Sequence, residues 1–288
     1  MPGDLARRAA RGLPGVVPEP GARKPSPILV ADGVVRRFGG ITAVDVAHLE
    51  FEANAITALI GPNGAGKTTL FNLLTGFDAP DEGEWSMLGV SLAGVPSYQV
   101  ARKGMVRTFQ LTKALSKLSV IENMKLGATN QRGEKLVAAL RSGAWRSQEK
   151  TIETRAEGLL ERFNLAHMRD EYAGTMSGGQ RKLLEMARAL MTEPKLIMLD
   201  EPMAGVNPAL TQSLLGHIKA LADDGLTVIF VEHDMDVVRD ISDWVVVMAE
   251  GQVIAEGPHD AIGRNQAVID AYLGSQHAAL TAGSEDAS

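Results

Sequence analysis

An α/β fold, built on a parallel sheet with covering helices, is predicted for this 288-residue chain by three observations. Short, predominantly apolar runs at Ile56–Ile60, Leu196–Leu199 and Leu226–Val231 have the length and character of strands buried on both faces. Helical patterns alternate with these runs, as a parallel sheet requires of its crossovers. The first run passes through a glycine-rich loop, Gly61–Gly66, directly into a helix-like stretch, Lys67–Thr75.

The remaining elements follow in chain order. Residues 1–27 carry six of the 13 prolines (Pro2, Pro14, Pro18, Pro20, Pro25, Pro27) and no apolar periodicity, so a flexible leader is expected. Ile28–Val35 is β-branched and apolar, and Val44–Phe51 partly alternates; both read as strands. Residues 111–175 have little strand signal. There Ile152, Ala156, Leu159 and Phe163 share one helical face, which predicts a helical subdomain, about 111–192, inserted into the α/β core. Strands return at Trp244–Ala249 and Gln252–Ala255, before a final helix near Gln266–Leu273. Residues 275–288 are small and polar and read as a flexible tail, leaving 28–274 as the folded domain.

Composition narrows the function. Hydrophobic residues at 45% and charged residues at 22% exclude wholesale disorder. A net charge of −6 argues against a general polyanion binder, whose affinity comes from neutralising phosphates. With no cysteine, disulfides, zinc–thiolate sites and cysteine nucleophiles are impossible. No apolar run approaches the roughly 20 residues that span a bilayer. Arg7, Arg8 and Arg11 have no apolar stretch behind them, so no secretory signal is read. The expectation is a cytoplasmic protein whose membrane role, if it has one, comes through a partner.

The glycine loop carries the chemistry. Gly61, Pro62, Asn63, Gly64, Ala65, Gly66, Lys67 and Thr68 match G-x-x-x-x-G-K-[ST] between a strand and a helix, with Thr69 next on that helix. Glycines let backbone N–H groups wrap a phosphate chain, and the helix N-terminus adds a favourable dipole. Lys67 is placed to reach the β- and γ-phosphates and the Thr68 hydroxyl to coordinate Mg²⁺. Four apolar residues then deliver Asp200 and Glu201 at the carboxyl end of a neighbouring strand, where ligands sit in open α/β sheets. Asp200 is expected in the Mg²⁺ shell, and Glu201 to polarise the attacking water.

A third string, Met176-Ser177-Gly178-Gly179-Gln180, opens a helix, with Ser177 a good N-cap and Leu183, Met186 and Leu190 on one face. Locally, a capped helix accounts for it. In order with the glycine loop and the Asp-Glu strand, it resembles the signature of ABC-type ATPases, whose helix closes on ATP held by the opposite protomer. The resemblance covers about residues 28–274 and implies a P-loop NTPase (RecA-like) core with an antiparallel β subdomain and an inserted helical subdomain. It implies that Ser177, Gly178, Gly179 and Gln180 touch nucleotide from across a dimer. It likens Gln110, ending Val106-Arg-Thr-Phe-Gln110, to a glutamine that ligates Mg²⁺ and senses the membrane partner. His233 is likened to a switch histidine contacting the γ-phosphate and Glu201, and Phe38 to the aromatic that stacks on adenine.

Two departures stand out. Met176 replaces the usual leucine, a near volume-conserving change. Asn207 stands where many relatives carry aspartate and keeps hydrogen bonding without charge, which implies weaker interprotomer coupling there. Several weaker strings, among them Arg36-Arg-Phe-Gly-Gly40, Val120-Ile-Glu-Asn123, Val231-Glu-His-Asp-Met235 and Ala271-Tyr-Leu-Gly274, are together similar to the ATPase subunits of branched-chain (hydrophobic) amino-acid importers. The implied partners are a second ATPase subunit, identical or paralogous, two integral membrane permease subunits and, indirectly, an extracytoplasmic solute-binding protein. The implied location is the cytoplasmic face of the membrane, held peripherally. Urea and amide importers have similar ATPases. A non-transport ABC ATPase acting on nucleic acid or ribosomes is disfavoured on two counts. Members acting on chromosomes insert long coiled coils, and no sustained heptads lie between Lys67 and Ser177; members acting on ribosomes carry two such cassettes, and this chain has one. Intact Glu201 and His233 argue against a regulatory module that holds ATP without hydrolysing it. The basic–apolar stretch Arg132–Arg146 reads either as packing within the helical arm or as a surface for a membrane partner.

Overall fold

The computed structural model describes residues 12–108, 116–128 and 142–273, with the side chains of 142–147 excepted. Two sheets organise these residues. The first is antiparallel, in the order β2 (Ile41–Glu52), β1 (Pro27–Phe38), β4 (Glu82–Met87), β5 (Val90–Ser91). The second holds six strands in the order β10 (Gln252–Gly257), β9 (Trp244–Ala249), β3 (Ile56–Ile60), β8 (Thr227–Val231), β7 (Leu196–Asp200), β6 (Met105–Arg107). Every pairing in it is parallel except β9–β10. Sequence reading missed β4, β5 and β6, which are short, partly exposed or polar and so carry no apolar run.

The apolar strand runs feed two cores, one on each face of the parallel sheet. Ala58, Ile197, Leu199, Val228, Phe230, Val245 and Val247 point to one side. Leu59, Leu196, Met198, Ile229, Val231, Val246 and Met248 point to the other. This period-two alternation of uniformly apolar residues is the signature of a strand covered on both faces. The second core is closed by the antiparallel sheet and by α1 (Lys67–Leu74), through Leu70, Phe71, Leu73 and Leu74. α2 (Ser97–Arg102) leads into β6.

The first core is closed by helices. α3 (Val120–Leu126) starts at a reciprocal cap, in which Ser119 Oγ accepts from Glu122 N–H and the Glu122 carboxylate accepts from Ser119 N–H. α4 (Ser142–Arg162) buries Ala156 and packs Ile152 and Leu159 against the core, with Phe163 buried directly after its end, the face that the helical spacing predicts. α5 (Gly178–Leu190) buries Leu183, Met186 and Leu190. α6 (Pro208–Asp223), α7 (Met235–Ile241) and α8 (His259–Ile262) follow β7, β8 and β10, and residues 266–273 are helical. Among the described residues no helix is long and apolar enough to cross a membrane.

The leader requires a correction. Residues 12–26, expected to be solvated, lie docked on the body: Leu13 and Val16 pack against the second core, and Ala22 and Lys24 are buried. The Glu256 carboxylate accepts Ala22 N–H at 2.8 Å, Lys24 Nζ at 2.5 Å and Trp244 Nε1 at 2.8 Å. Lys24 N–H donates to Glu50 Oε2 at 2.6 Å. Prolines and glycines bar helix and strand here, but they do not bar a strap that spends its polar groups on buried carboxylates. Residues 1–11, 274–288 and most of the Arg132–Arg146 stretch lie outside the described residues.

Candidate active site

The carboxyl ends of β3, β7 and β8 place Gly61, Asp200 and His233 along one edge of the parallel sheet. β3 enters the glycine loop under tight steric limits. A Cβ built on Gly61, whose φ is +148°, would sit 2.1 Å from Met248 O. One built on Gly66, at φ +95°, would sit 2.3 Å from Ala43 O. The loop is thus wedged between β9 and β2, and only glycine fits both positions. Gly66 caps α1 with no side-chain hydrogen bond, so the first N–H groups of that eight-residue helix are left for a ligand's oxygens. Asn63, Gly64 and Thr68 are exposed, Ala65 is buried, and Pro62 and Thr69 are half-buried.

Lys67 is buried, and its Nζ donates to Gly61 O at 2.7 Å and Pro62 O at 2.8 Å. Burial lowers its pKa, and the charges of Glu201 and then Asp200 oppose that shift. The ammonium, the exposed loop amides and the helix terminus together make a cationic cradle for a phosphate chain.

Asp200 ends β7 with its Oδ2 2.6 Å from an Arg107 guanidinium nitrogen, both side chains nearly buried. Arg107 also donates to Asn72 Oδ1, at 2.5 Å, and lies over the Phe71 ring. The carboxylate expected in a metal shell is therefore already oriented by an arginine on β6. The hard oxygens of Thr68 and Asp200 suit Mg²⁺, which takes few protein ligands and fills its octahedron with phosphate oxygens and water. Among the described residues no group of three or more His, Asp or Glu side chains is placed to hold a metal ion.

Glu201 follows at φ +46°, a left-handed conformation uncommon for a residue with a Cβ. Its Oε1 lies 3.0 Å from His233 Nε2, and both side chains are partly exposed. A cleft of about 490 Å³ beside them is lined by Glu201, Met203, Glu232, His233, Asp234 and Asp236 among others. The carboxylates give this cleft an acidic wall, in contrast to the cationic cradle at the glycine loop.

The signature residues behave as a helix start. Ser177 Oγ accepts Gln180 N–H, and Gln180 Oε1 accepts Ser177 N–H at 2.9 Å. Gln180 is thereby engaged in a capping box rather than presented to a ligand. Ser177 and Gly178 are exposed, whereas Gly179 is buried against Leu210, whose Cδ2 would overlap a Cβ there. Asn207 N-caps α6 through Leu210 N–H, which gives the uncharged side chain a local structural use. Phe38 is half-exposed with the Arg36 guanidinium 4.7 Å from its ring centroid, so an adenine stacking there shares the ring with Arg36. Gln110 lies outside the described residues. Arg107, Lys182 and Glu232 escaped sequence reading. Arg107 stood in the string quoted for Gln110, and Glu232 follows an apolar strand just as Asp200 follows Leu199.

Comparison with known proteins sets this geometry in context. A family model described as "ABC transporter" matches residues 44–204, and one described as "Branched-chain amino acid ATP-binding cassette transporter" matches residues 252–278. The probable branched-chain amino acid transport ATP-binding protein LivG of Archaeoglobus fulgidus is 40% identical over 256 residues, covering 89% of this chain and 99% of its own. The high-affinity branched-chain amino acid transport ATP-binding protein BraF of Pseudomonas aeruginosa is 41% identical over 250 residues, covering 86% and 98%. Among solved structures, a nucleotide-free ATP-binding cassette from an ABC transporter superposes with a TM-score of 0.75 at 36% identity, covering 85% of this chain and 98% of that one. A cassette in its ADP conformation gives 0.74 at 35% identity, covering 86% and 99%.

Proposed function

Because this chain belongs to the ABC transporter ATP-binding family, we propose that it is the ATP-hydrolysing subunit of an importer of branched-chain or other hydrophobic amino acids. The observation that supports the chemistry best is the single sheet edge carrying the glycine loop, Lys67, Asp200 and the Glu201–His233 pair. The substrate class is supported by the C-terminal family match and by the names of the relatives. The net charge of −6 leaves a nucleic-acid role without support.

In this reading the loop amides and Lys67 bind the β- and γ-phosphates of ATP. Thr68 and Asp200 would hold Mg²⁺, with Gln110, and the ion would supply charge neutralisation on those phosphates. Glu201 orients a water molecule and accepts its proton as the water oxygen attacks Pγ. The bond from Pγ to the bridging oxygen breaks, and ADP leaves. His233 Nε2, 3.0 Å from Glu201 Oε1, fixes that carboxylate and can hydrogen-bond a γ-phosphate oxygen. Such phosphoryl transfer is mostly positioning and charge neutralisation, for which this set of groups suffices. A second copy or a paralogue would close the site with its Ser177, Gly178 and Gly179. Two permease subunits would carry the solute, with this chain held peripherally on their cytoplasmic side.

Glu201→Gln is expected to abolish phosphate release while ATP binding persists; wild-type turnover in that variant contradicts the assignment. Affinity capture of the tagged variant with ATP and Mg²⁺ from solubilised membranes should recover two polytopic permease subunits. Recovery of ribosomal or DNA-bound proteins without permease would overturn the importer reading and leave the ATPase chemistry standing.

A further inference from the structure

Two charged side chains beside the site hold the backbone on which Glu201 rides. Glu232 directly follows β8 and is 5% exposed. Its Oε1 accepts Met203 N–H at 2.8 Å and its Oε2 accepts His233 N–H at 3.3 Å. One carboxylate therefore ties the chain two residues beyond Glu201 to the chain that presents His233. From the other side, Lys182 of α5 donates from Nζ to Glu201 O at 3.1 Å and to Pro202 O at 2.9 Å. Glu201 N–H is itself fixed on Val231 O at 3.0 Å.

The loop needs these anchors because of its backbone. At φ +46° Glu201 occupies a region that a residue with a Cβ leaves unless its surroundings over-determine it. Relaxation to negative φ would swing the Cβ and carry the carboxylate off His233 Nε2. The anchors are costly in isolation, since a buried carboxylate and a half-buried ammonium both lose hydration. Burial raises the Glu232 pKa and lowers that of Lys182, and each group opposes the other's shift.

We propose that Glu232 and Lys182 are positioning residues that clamp the Glu201 loop and so hold the Glu201 carboxylate against His233. The proposal rests on Glu201 orienting the attacking water, and it adds two residues that act through the backbone of the loop on which Glu201 sits.

The test uses the full chain and two independent readings. Glu232→Ala is expected to lower the catalytic rate about 100-fold, the scale of a misplacement near 1 Å, while the affinity for labelled ATP stays within about twofold. Glu232→Gln, which keeps the volume and one acceptor, should fall between Glu232→Ala and wild type, and Lys182→Met should reproduce the loss. In the second reading, the ¹⁵N resonances of the His233 ring, identified by their loss in His233→Asn, should move in Glu232→Ala in the same sense as in Glu201→Gln. Folding is followed by thermal unfolding. If Glu232→Ala does not fold, Glu232→Gln and Lys182→Met decide the matter by the same two readings. Undiminished turnover, or an unmoved His233 ring, in folded variants overturns the clamp while leaving Glu201 in its role. Wild-type turnover in Glu201→Gln overturns instead the reading on which the clamp rests.

Discussion

Replacing Lys24 by methionine tests how firmly the N-terminal strap is bound. The Lys24 and Glu256 side chains are 1% and 0% exposed and 2.5 Å apart. The ammonium also donates to Ala22 O at 2.6 Å and lies 5.2 Å from the Trp244 ring centroid. Methionine keeps the length and apolar stem but leaves the Glu256 carboxylate buried with only the Ala22 and Trp244 N–H groups. Breaking a buried pair in this way costs about 3–5 kcal/mol, and the two remaining donors place the expectation near about 3 kcal/mol. For a domain of this size that is a fall in Tm of about 6–12 °C. Urea unfolding followed by tryptophan fluorescence should show a lower midpoint at constant slope. Limited trypsinolysis at exposed Arg23 should accelerate as the strap detaches. Combining Lys24→Met with Glu256→Gln should cost less than the sum of the single changes by about 1.5 kcal/mol or more. A loss under about 1 kcal/mol with unaltered cleavage at Arg23, or strict additivity in the double variant, refutes the reasoning that these charges are sealed from water and mutually dependent.

Other expectations are more local. Lys67→Ala removes a charged donor from the phosphate cradle and should weaken ATP binding about 10- to 100-fold in a titration with labelled nucleotide; unchanged affinity would remove Lys67 from the site. Gly61→Ala places a Cβ 2.1 Å from Met248 O at φ +148°, and should cost about 1–3 kcal/mol of stability together with nucleotide affinity; a wild-type Tm and dissociation constant would contradict the wedged loop. Burial raises the Glu232 pKa, so just above the ordinary carboxylate range the native state binds a larger share of a proton than the unfolded chain does. Its contribution to stability is therefore full below the ordinary carboxylate range and is lost as pH rises through the raised value. Between pH 5 and pH 7, about the window above that range, Glu232→Gln should lose less stability, or gain more, than wild type. An identical pH profile for both proteins speaks against the raised value.

Much of the fold and site was legible because it rests on local pattern. Apolar runs long enough for one strand each, interrupted by the glycine loop, are enough to predict the parallel sheet and the edge at which a ligand is expected. The acids after Leu199 and the serine before Gly178 follow from position at the end of a strand or the start of a helix, whereas His233 was singled out by the family resemblance. Sequence alone also determined which faces of α4 and α5 are buried, because periodicity of 3.6 is written in consecutive residues.

Tertiary structure decided what depends on partners distant in sequence. Nothing near Lys24 announces Glu256, so a proline-rich stretch that reads as solvated becomes a strap only where β9 and β10 bring Trp244 and Glu256 beneath it. Asp200 reads as a metal ligand from its place on β7, but its pairing with Arg107 needed β6 beside β7. Glu232 and Lys182 are ordinary charges until β7 and β8 lie side by side and α5 crosses their ends, where one carboxylate and one ammonium take the backbone groups of the loop after Asp200. The physical reason is common to all three. Periodicity and spacing specify which groups are buried, but a buried polar group is satisfied by whichever partner the fold brings within about 3 Å, and that choice is made in space rather than along the chain.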